Sequence, residues 1–177
     1  MSYSASRSER LTYRRFGPAD AEFLVALMTS PGWLQHIGDR GVESVAAAEV
    51  YISRRFSVPS ASSAWEGTYL VSRRCDGTRV GLVGIHRREE LDLPDVGYAV
   101  LPEFYRKGYA SEAVAWLQTR AREQGEVAIA AICNHDAYAS QGLLRKLGFA
   151  YEREVEVGHS EALEQYWTKR LRKAMHE

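Results

Sequence analysis

Apolar and polar positions along this chain follow two rhythms, and the switches between them predict a series of short elements. Residues 11–16 read as a first strand, and residues 18–28 as a helix with Pro18 at its entry and acids in its first turn. The Ser30-Pro31-Gly32-Trp33 run is expected to stop that helix, and Ser44 is a plausible N-cap for a second over 45–56. A Ser/Pro/Ala segment over 57–64 reads as a loop, one able to move. Strands over 68–72 and 79–86 flank Asp76-Gly77, a strong hairpin signal.

A third strand of this series covers 94–101, and a helix over 108–124 follows. That helix places Ala110, Val114, Leu117 and Ala121 on one face and has Gly125 as its stop. Residues 127–133 are apolar on both faces, and a strand buried on both sides after a helical crossover argues for a parallel βαβ unit. The strand ending at Leu101 should therefore pair with, or lie beside, the one ending at Cys133. A helix over 137–147 capped by Gly148, then strands near 149–157 and 163–169, complete an α/β (α+β) pattern. No repeat or linker divides it, so 1–177 reads as a single domain, with 1–10 a flexible segment.

Composition narrows the partners. The 177 residues carry 23 basic and 23 acidic side chains, without the positive excess of a phosphate-backbone binder, so nucleic acid is not expected. No apolar run is long enough to span a bilayer and the first ten residues have no apolar leader core, so no membrane is expected and a cytoplasmic location is. Cys75 lies in a turn and Cys133 ends an apolar run; neither a disulfide framework nor zinc spacing is present, so no metal is expected.

The most informative stretch is Asp95-Val-Gly-Tyr-Ala-Val-Leu-Pro-Glu-Phe-Tyr-Arg-Lys-Gly-Tyr-Ala-Ser-Glu-Ala113, which passes from an apolar strand through a turn containing Gly108 into a helix. The first turn of a helix leaves backbone N–H groups unpaired at the positive end of its dipole, so anionic oxygens settle there. Gly108 and Ala110 permit close approach, and a side chain at 108 is expected to fill the space beside the amides. A lone Gly at a strand-to-helix turn is also ordinary punctuation.

Neighbouring residues add to this. Tyr105-Arg-Lys-Gly-Tyr-Ala110 resembles the Q/R-x-x-G-x-G/A turn of the GNAT superfamily of acetyl-coenzyme A-dependent N-acyltransferases, with Tyr105 where Gln or Arg is usual. Ala139-Ser-Gln-Gly-Leu-Leu-Arg-Lys-Leu-Gly-Phe149 resembles the A-S-x-x-L-x-x-K-L-G-F helix of that superfamily, with Ala137 where Asn is common. Ile37-Gly-Asp-Arg-Gly-Val42 and Gly84-Ile-His-Arg-Arg88 are similar to a bacterial subgroup related to the ribosomal-protein N-terminal acetyltransferases.

The resemblance implies a GNAT-like domain with a mixed central sheet of about six to seven strands, about four helices, and a parallel pair splayed at its C-terminal ends around the cofactor. Acetyl-coenzyme A is the implied co-substrate. Its implied holders are Tyr98, Ala99, Val100 and Leu101, whose backbone amides would polarise the thioester carbonyl, and Arg106, Lys107, Gly108, Tyr109, Ala110 and Ser111 around the pyrophosphate.

Acyl transfer needs a neutral amine, a polarised carbonyl and a discharged thiolate. A peptide α-amine is about a tenth neutral at pH 7 and a lysine only about one part in 2500, so an α-amine tolerates a much weaker base. Asp95 is the first candidate base, with a solvated strand-start acid as the alternative; Glu43, Asp39 and His86 come next. His86 could equally be a structural histidine, and Asp39-Arg40 an ion pair shaping a loop. Ser140 and Tyr138 are candidates to protonate the thiolate, though Ser140 could instead cap its helix. Trp33, Asp39, Arg40 and His86 are the candidate acceptor-binding residues, and the amine is expected to enter from a side formed by 32–60.

The expected activity is thus acetyl transfer from acetyl-coenzyme A to a primary amine, on a peptide or a small molecule, by direct attack. A homodimer is compatible with the sequence. Three other readings stay open: a coenzyme-binding sensor or partner-binding module with weak catalysis, a covalent route through Cys133, and a dinucleotide-binding fold.

Overall fold

The computed structural model describes residues 6–56, 65–157 and 162–171. The chain separates into two compact units, each drawn from two stretches: unit one from residues up to Gly84 and Tyr98–Ala113, unit two from Ile85–Gly97 and Val114 onward. Residues 1–5 and the loop expected over 57–64 lie outside the described residues.

In unit one, β1 (Ser6–Arg7) pairs antiparallel with β2 (Leu11–Arg15), and β2 with β3 (Gly67–Arg73), in a register that sets Leu11 against Arg73 and Arg15 against Tyr69. The flexible segment expected over 1–10 is therefore built in from residue 6. Its two strand residues, Ser6 and Arg7, lack any apolar rhythm, which is why the pattern passed over them.

The Asp76-Gly77 hairpin joins β3 to β4 (Arg79–His86): Arg73 N–H donates to the Thr78 carbonyl at 2.8 Å, Thr78 N–H to Asp76 Oδ1 at 3.0 Å, and Gly77 sits at φ 73°. β5 (Asp95–Val100) contributes its last residues to unit one. There the β4 backbone comes so close that a Cβ on Gly81 would meet the Ala99 carbonyl oxygen at 2.1 Å.

A single helical turn, Pro18–Asp20, leads into α1 (Ala21–Met28), whose Ala21, Phe23, Leu24, Leu27 and Met28 are buried. Asp20 fixes this entry. Its carboxylate accepts from Gly17 N–H at 2.9 Å and from Arg14 Nη1 and Nη2 at 2.6 and 2.8 Å, and Arg79 Nε stands 3.1 Å away. Burial alone would push this carboxyl up, but Arg14, Gly17 and Arg79 together hold it below the usual carboxylate range.

The Ser30–Trp33 run ends α1 and also begins a further helix, α2 (Pro31–His36), because Pro fits the first helical position as well as it blocks a preceding one. The Ser44 hydroxyl accepts from Ala47 N–H at 3.2 Å and caps α3 (Val45–Tyr51), which widens into a π turn over Ile52–Phe56. Phe16, Leu24, Leu27, Ile52, Phe56 and Leu70 belong to the core of this unit. Burying each such side chain stabilises it by about 1.5–3 kcal/mol.

In unit two, β5 begins parallel to β6 (Ala128–Cys133): Asp95 is registered with Ala130, whose N–H donates to the Pro94 carbonyl at 2.9 Å. β6 then pairs antiparallel with β8 (Glu164–Arg170), and β8 with β7 (Ala150–Val155). The helix α4 (Tyr109–Glu123) crosses between units and buries Val114, Leu117 and Ala121, whereas Ala110 is only half-buried.

Gly125 at φ 88° ends α4, with Glu126 N–H returning to the Ala121 carbonyl at 3.0 Å. α5 (Tyr138–Lys146) ends likewise at Gly148, φ 84°. Among the described residues the mixed sheet thus has eight strands where about six to seven were expected, and there are five α-helices where about four were; β1 and α2 are the strand and the α-helix that the hydrophobic pattern did not predict.

Candidate active site

The strand-to-helix turn containing Gly108, the candidate coenzyme cradle, lies within unit one. Past β5, Phe104 N–H donates to the Leu101 carbonyl at 2.9 Å in a short turn, and the chain enters α4 through Tyr105-Arg106-Lys107-Gly108. Arg106 at φ 61° is the single non-glycine with positive φ among the described residues, and Gly108 follows at φ 79°. Two left-handed residues so close make a sharp turn of the kind that can present backbone amides to an anion, and a strained position of this kind points to function. The Gly108 carbonyl accepts from Glu112 N–H at 3.0 Å, which makes Gly108 the N-cap and leaves the amides of Tyr109, Ala110 and Ser111 as the helix's orphan donors. These features fit a pyrophosphate.

Around the turn, side chains settle on aromatic rings. Lys107 Nζ stands 5.4 Å from the Phe104 ring centre, and Arg106 is exposed. The sequence places a side chain at 108 in the space beside the amides; in the structure a Cβ there stands 3.2 Å from Arg10 Nη2 and holds a φ that side chains avoid. Arg10 also donates from Nη1 to the Lys107 carbonyl at 3.0 Å and from Nε to Glu112 Oε2 at 2.7 Å, with its guanidinium 4.9 Å from the Tyr109 ring centre.

Glu112 Oε1 further accepts from Arg10 N–H at 2.7 Å and Ser8 Oγ at 2.6 Å. Burial would push the Glu112 carboxyl up, yet these donors hold it below its usual range. Nothing in the sequence pattern singles out Ser8, Arg10 or Glu112.

The strand amides divide into two sets. Leu101 N–H is taken by the Val80 carbonyl at 2.9 Å. Alternation along the strand turns Ala99 the same way, so Tyr98 and Val100 N–H point to the edge opposite β4. The expected row of four donors is thus divided between the two edges of β5, and Leu101 N–H is already engaged by β4.

Of the acceptor candidates in unit one, Trp33 is buried in the core and its Nε1 donates to the Gly38 carbonyl at 3.0 Å, so it shapes the loop from beneath. Asp39 Oδ1 accepts from Gly41 N–H at 2.7 Å and Arg40 Nη2 donates to the Ile37 carbonyl at 3.4 Å; each bonds backbone instead of forming the ion pair considered from sequence. Tyr105 is 46% exposed and its hydroxyl reaches α2, where a Cβ on Gly32 would fall 2.1 Å from it. Glu43 is exposed.

In unit two, Asp95 is 2% exposed, which rules out a solvated strand-start acid. Its Oδ1 accepts from Arg88 Nε at 2.9 Å. Burial pushes its carboxyl up, against the opposing pull of Arg88 and of half-buried His86. Ser140 is half-buried in the first turn of α5 and Tyr138 is exposed; the N-cap position is Ala137, so Ser140 does not cap the helix.

Gln141, which sequence reading passed over, is buried and donates to the His135 carbonyl at 2.9 Å, tying the preceding loop to α5. Burial raises the Cys133 thiol to about 11, which makes it a poor nucleophile. Arg145 lies over the Trp167 ring at 5.1 Å and Lys146 is exposed. Among the described residues no group of side chains has metal-ligand geometry, and no helix is long and apolar enough to cross a membrane.

Comparison with known proteins agrees with this frame. The acetyltransferase (GNAT) domain model matches residues 10–150. An uncharacterised N-acetyltransferase, YoaA of Bacillus subtilis, is 26% identical over 147 residues, covering 82% of each chain. Among solved structures, a GNAT-family acetyltransferase from Bacillus anthracis superposes with a TM-score of 0.77 at 21% identity, over 94% of this chain and 98% of its own. RimL, a ribosomal α-N-protein acetyltransferase solved in complex with coenzyme A, gives 0.74 at 17% identity, over 93% and 96%.

Proposed function

Because the chain belongs to the acetyltransferase (GNAT) domain family and is an acyltransferase, we propose that it moves an acetyl group from acetyl-coenzyme A to a primary amine by direct attack. The observation that carries this reading is the cradle: left-handed Arg106 and Gly108 leading into the first turn of α4. Acetyl-coenzyme A supplies the activated thioester. Tyr109, Ala110 and Ser111 N–H and the Gly108 backbone would hold its pyrophosphate, with exposed Arg106 adding charge. Val100 N–H, on the edge of β5 away from β4, would take the developing oxyanion.

The amine nitrogen forms a bond to the carbonyl carbon, the carbon–sulfur bond breaks, the amine's proton leaves to a base, and the thiolate regains a proton. Asp95 is the proposed base, acting through water. A carboxyl raised by burial is a better base than a solvated one, and an α-amine needs little more. Ser140 and Tyr138 are the proposed proton donors to the thiolate, with a small effect because a thiol is a good leaving group. The preferred acceptor is a peptide α-amine, a choice supported by the α-N-protein acetyltransferase activity of the structural neighbour RimL. Location in the cytoplasm and a single catalytic domain are parts of the same proposal.

A second reading, a weakly catalytic coenzyme-binding module, is favoured by one observation: Asp95 is engaged with Arg88. Thiol release from acetyl-coenzyme A against N-terminal peptides, lysine peptides, polyamines and amino sugars, beside calorimetric titration of the coenzyme, separates the two. Turnover with α-amines is the expected result. Binding with no turnover on any amine selects the second reading, and no binding removes both.

A further inference from the structure

We propose that Arg10 is a positioning residue for the coenzyme: it fixes the plane of the Lys107–Gly108 peptide so that Gly108 N–H is presented to the pyrophosphate. The inference rests on the reading of the cradle given above and adds a residue to it. A trans peptide is planar, with its carbonyl and N–H pointing in opposite directions. Arg10 Nη1 holds the Lys107 carbonyl at 3.0 Å, so the N–H of the same peptide, that of Gly108, is turned away from Arg10.

Sterics alone would leave this orientation undecided. Glycine accepts positive and negative φ almost equally, so the peptide plane preceding Gly108 can rotate at low cost unless something holds it. Arg10 is itself held at three points. Its Nε and its backbone N–H bond both oxygens of Glu112, each at 2.7 Å, and its guanidinium lies 4.9 Å from the Tyr109 ring centre. Ser8 Oγ, 2.6 Å from Glu112 Oε1, completes the anchor.

Arg10 has an electrostatic task as well. Glu112 places a carboxylate in the first turn of α4, where a pyrophosphate would feel it as like charge. The bidentate contact with Arg10 neutralises that charge while leaving the turn's amides free.

The test compares wild type, Arg10→Ala and Arg74→Ala by calorimetric titration of coenzyme A. Arg74 is the control: its Nη1 bonds the carbonyls of Ser8 and Glu9 and so anchors the same segment without touching the cradle. Arg10→Ala should raise Kd about tenfold, the scale of one lost charge-assisted hydrogen bond. KM for acetyl-coenzyme A should rise with it and kcat should stay near wild type. The Gly108 amide resonance of the free labelled protein should move as well.

Arg74→Ala should lower the melting temperature and leave Kd unchanged. If Arg10→Ala unfolds, Arg10→Lys takes its place. A lysine can reach Glu112 but lacks the fork that bonds Glu112 and the Lys107 carbonyl together, so a raised Kd is again expected. The proposal is overturned if the Arg10 variant binds as wild type, or if both sites weaken binding equally, since Arg10 would then only anchor the segment. Failure of wild type to bind coenzyme A would instead overturn the cradle reading, and this inference with it.

Discussion

Asp20 in unit one and Asp95 in unit two are both almost wholly buried, yet their surroundings drive their carboxyls in opposite directions. Asp20 has Arg14 on both oxygens, Arg79 beside it and a backbone amide donating to it. Asp95 has the Nε of Arg88, its own backbone amide and the more distant influence of His86. A buried acid surrounded by donors is a structural fastener that stays ionised. One with fewer donors retains basicity, which a proton acceptor requires. Burial is common to the two, so the number of donors marks the difference.

The largest effect that would sharpen this contrast is on rate. Asp95→Asn should lower kcat by roughly a hundredfold with Kd for the coenzyme intact, the scale expected for loss of a general base. An unchanged pH–rate profile would remove Asp95 from the mechanism. Arg88→Met should act on the same group through its environment. With its guanidinium gone, burial raises Asp95 further, and the acid limb of the pH–rate profile should move to higher pH.

Asp20→Ala should leave kcat per folded molecule unchanged and lower stability by about 1–3 kcal/mol, since it strands buried donors. Thermal melting would show it as a fall of roughly 2–4 °C per kcal/mol for a chain of this size. A loss of rate at constant stability would break the contrast.

The pH dependence of melting should separate the two acids by sign. Asp20 has a depressed folded value, so its contribution is present above the unfolded value of about 4 and is lost as pH falls through the folded one. Asp95 has a raised folded value, so stability instead declines as pH rises between the unfolded and folded values. Each slope should vanish in its own variant. Smallest of all, Ser140→Ala should slow turnover by only a few-fold, because a thiolate near its own pKa is readily discharged.

Gly108 illustrates what a sequence discloses about such a site. A backbone that adopts φ 79° before a helix strongly favours glycine, so the preference is written at that position. The same holds for the Asp76-Gly77 hairpin and the glycine stops at 125 and 148. Arg10 shows what is hidden. Its role depends on Lys107 and Glu112, about a hundred positions away, and no local rhythm encodes a contact of that separation. Arg88 was visible only as part of a family-like string; its partnership with Asp95 emerges when the chain between them folds back. The missed α2 is a different case, since Pro31-Gly32 is compatible with both a stop and a start, and only the fold chooses.

The chain passes between its two units inside β4, inside β5 and inside α4, and this has a consequence for the order of assembly. As the polypeptide is synthesised, unit one lacks its final strand residues and the start of α4 until position 113 has been added. The Ser8–Glu112 bond closes a separation of 104 residues, so the Tyr105–Gly108 turn is among the last parts of unit one to acquire its final form. Coenzyme binding would then serve as a late clock for maturation, silent in every shorter nascent chain.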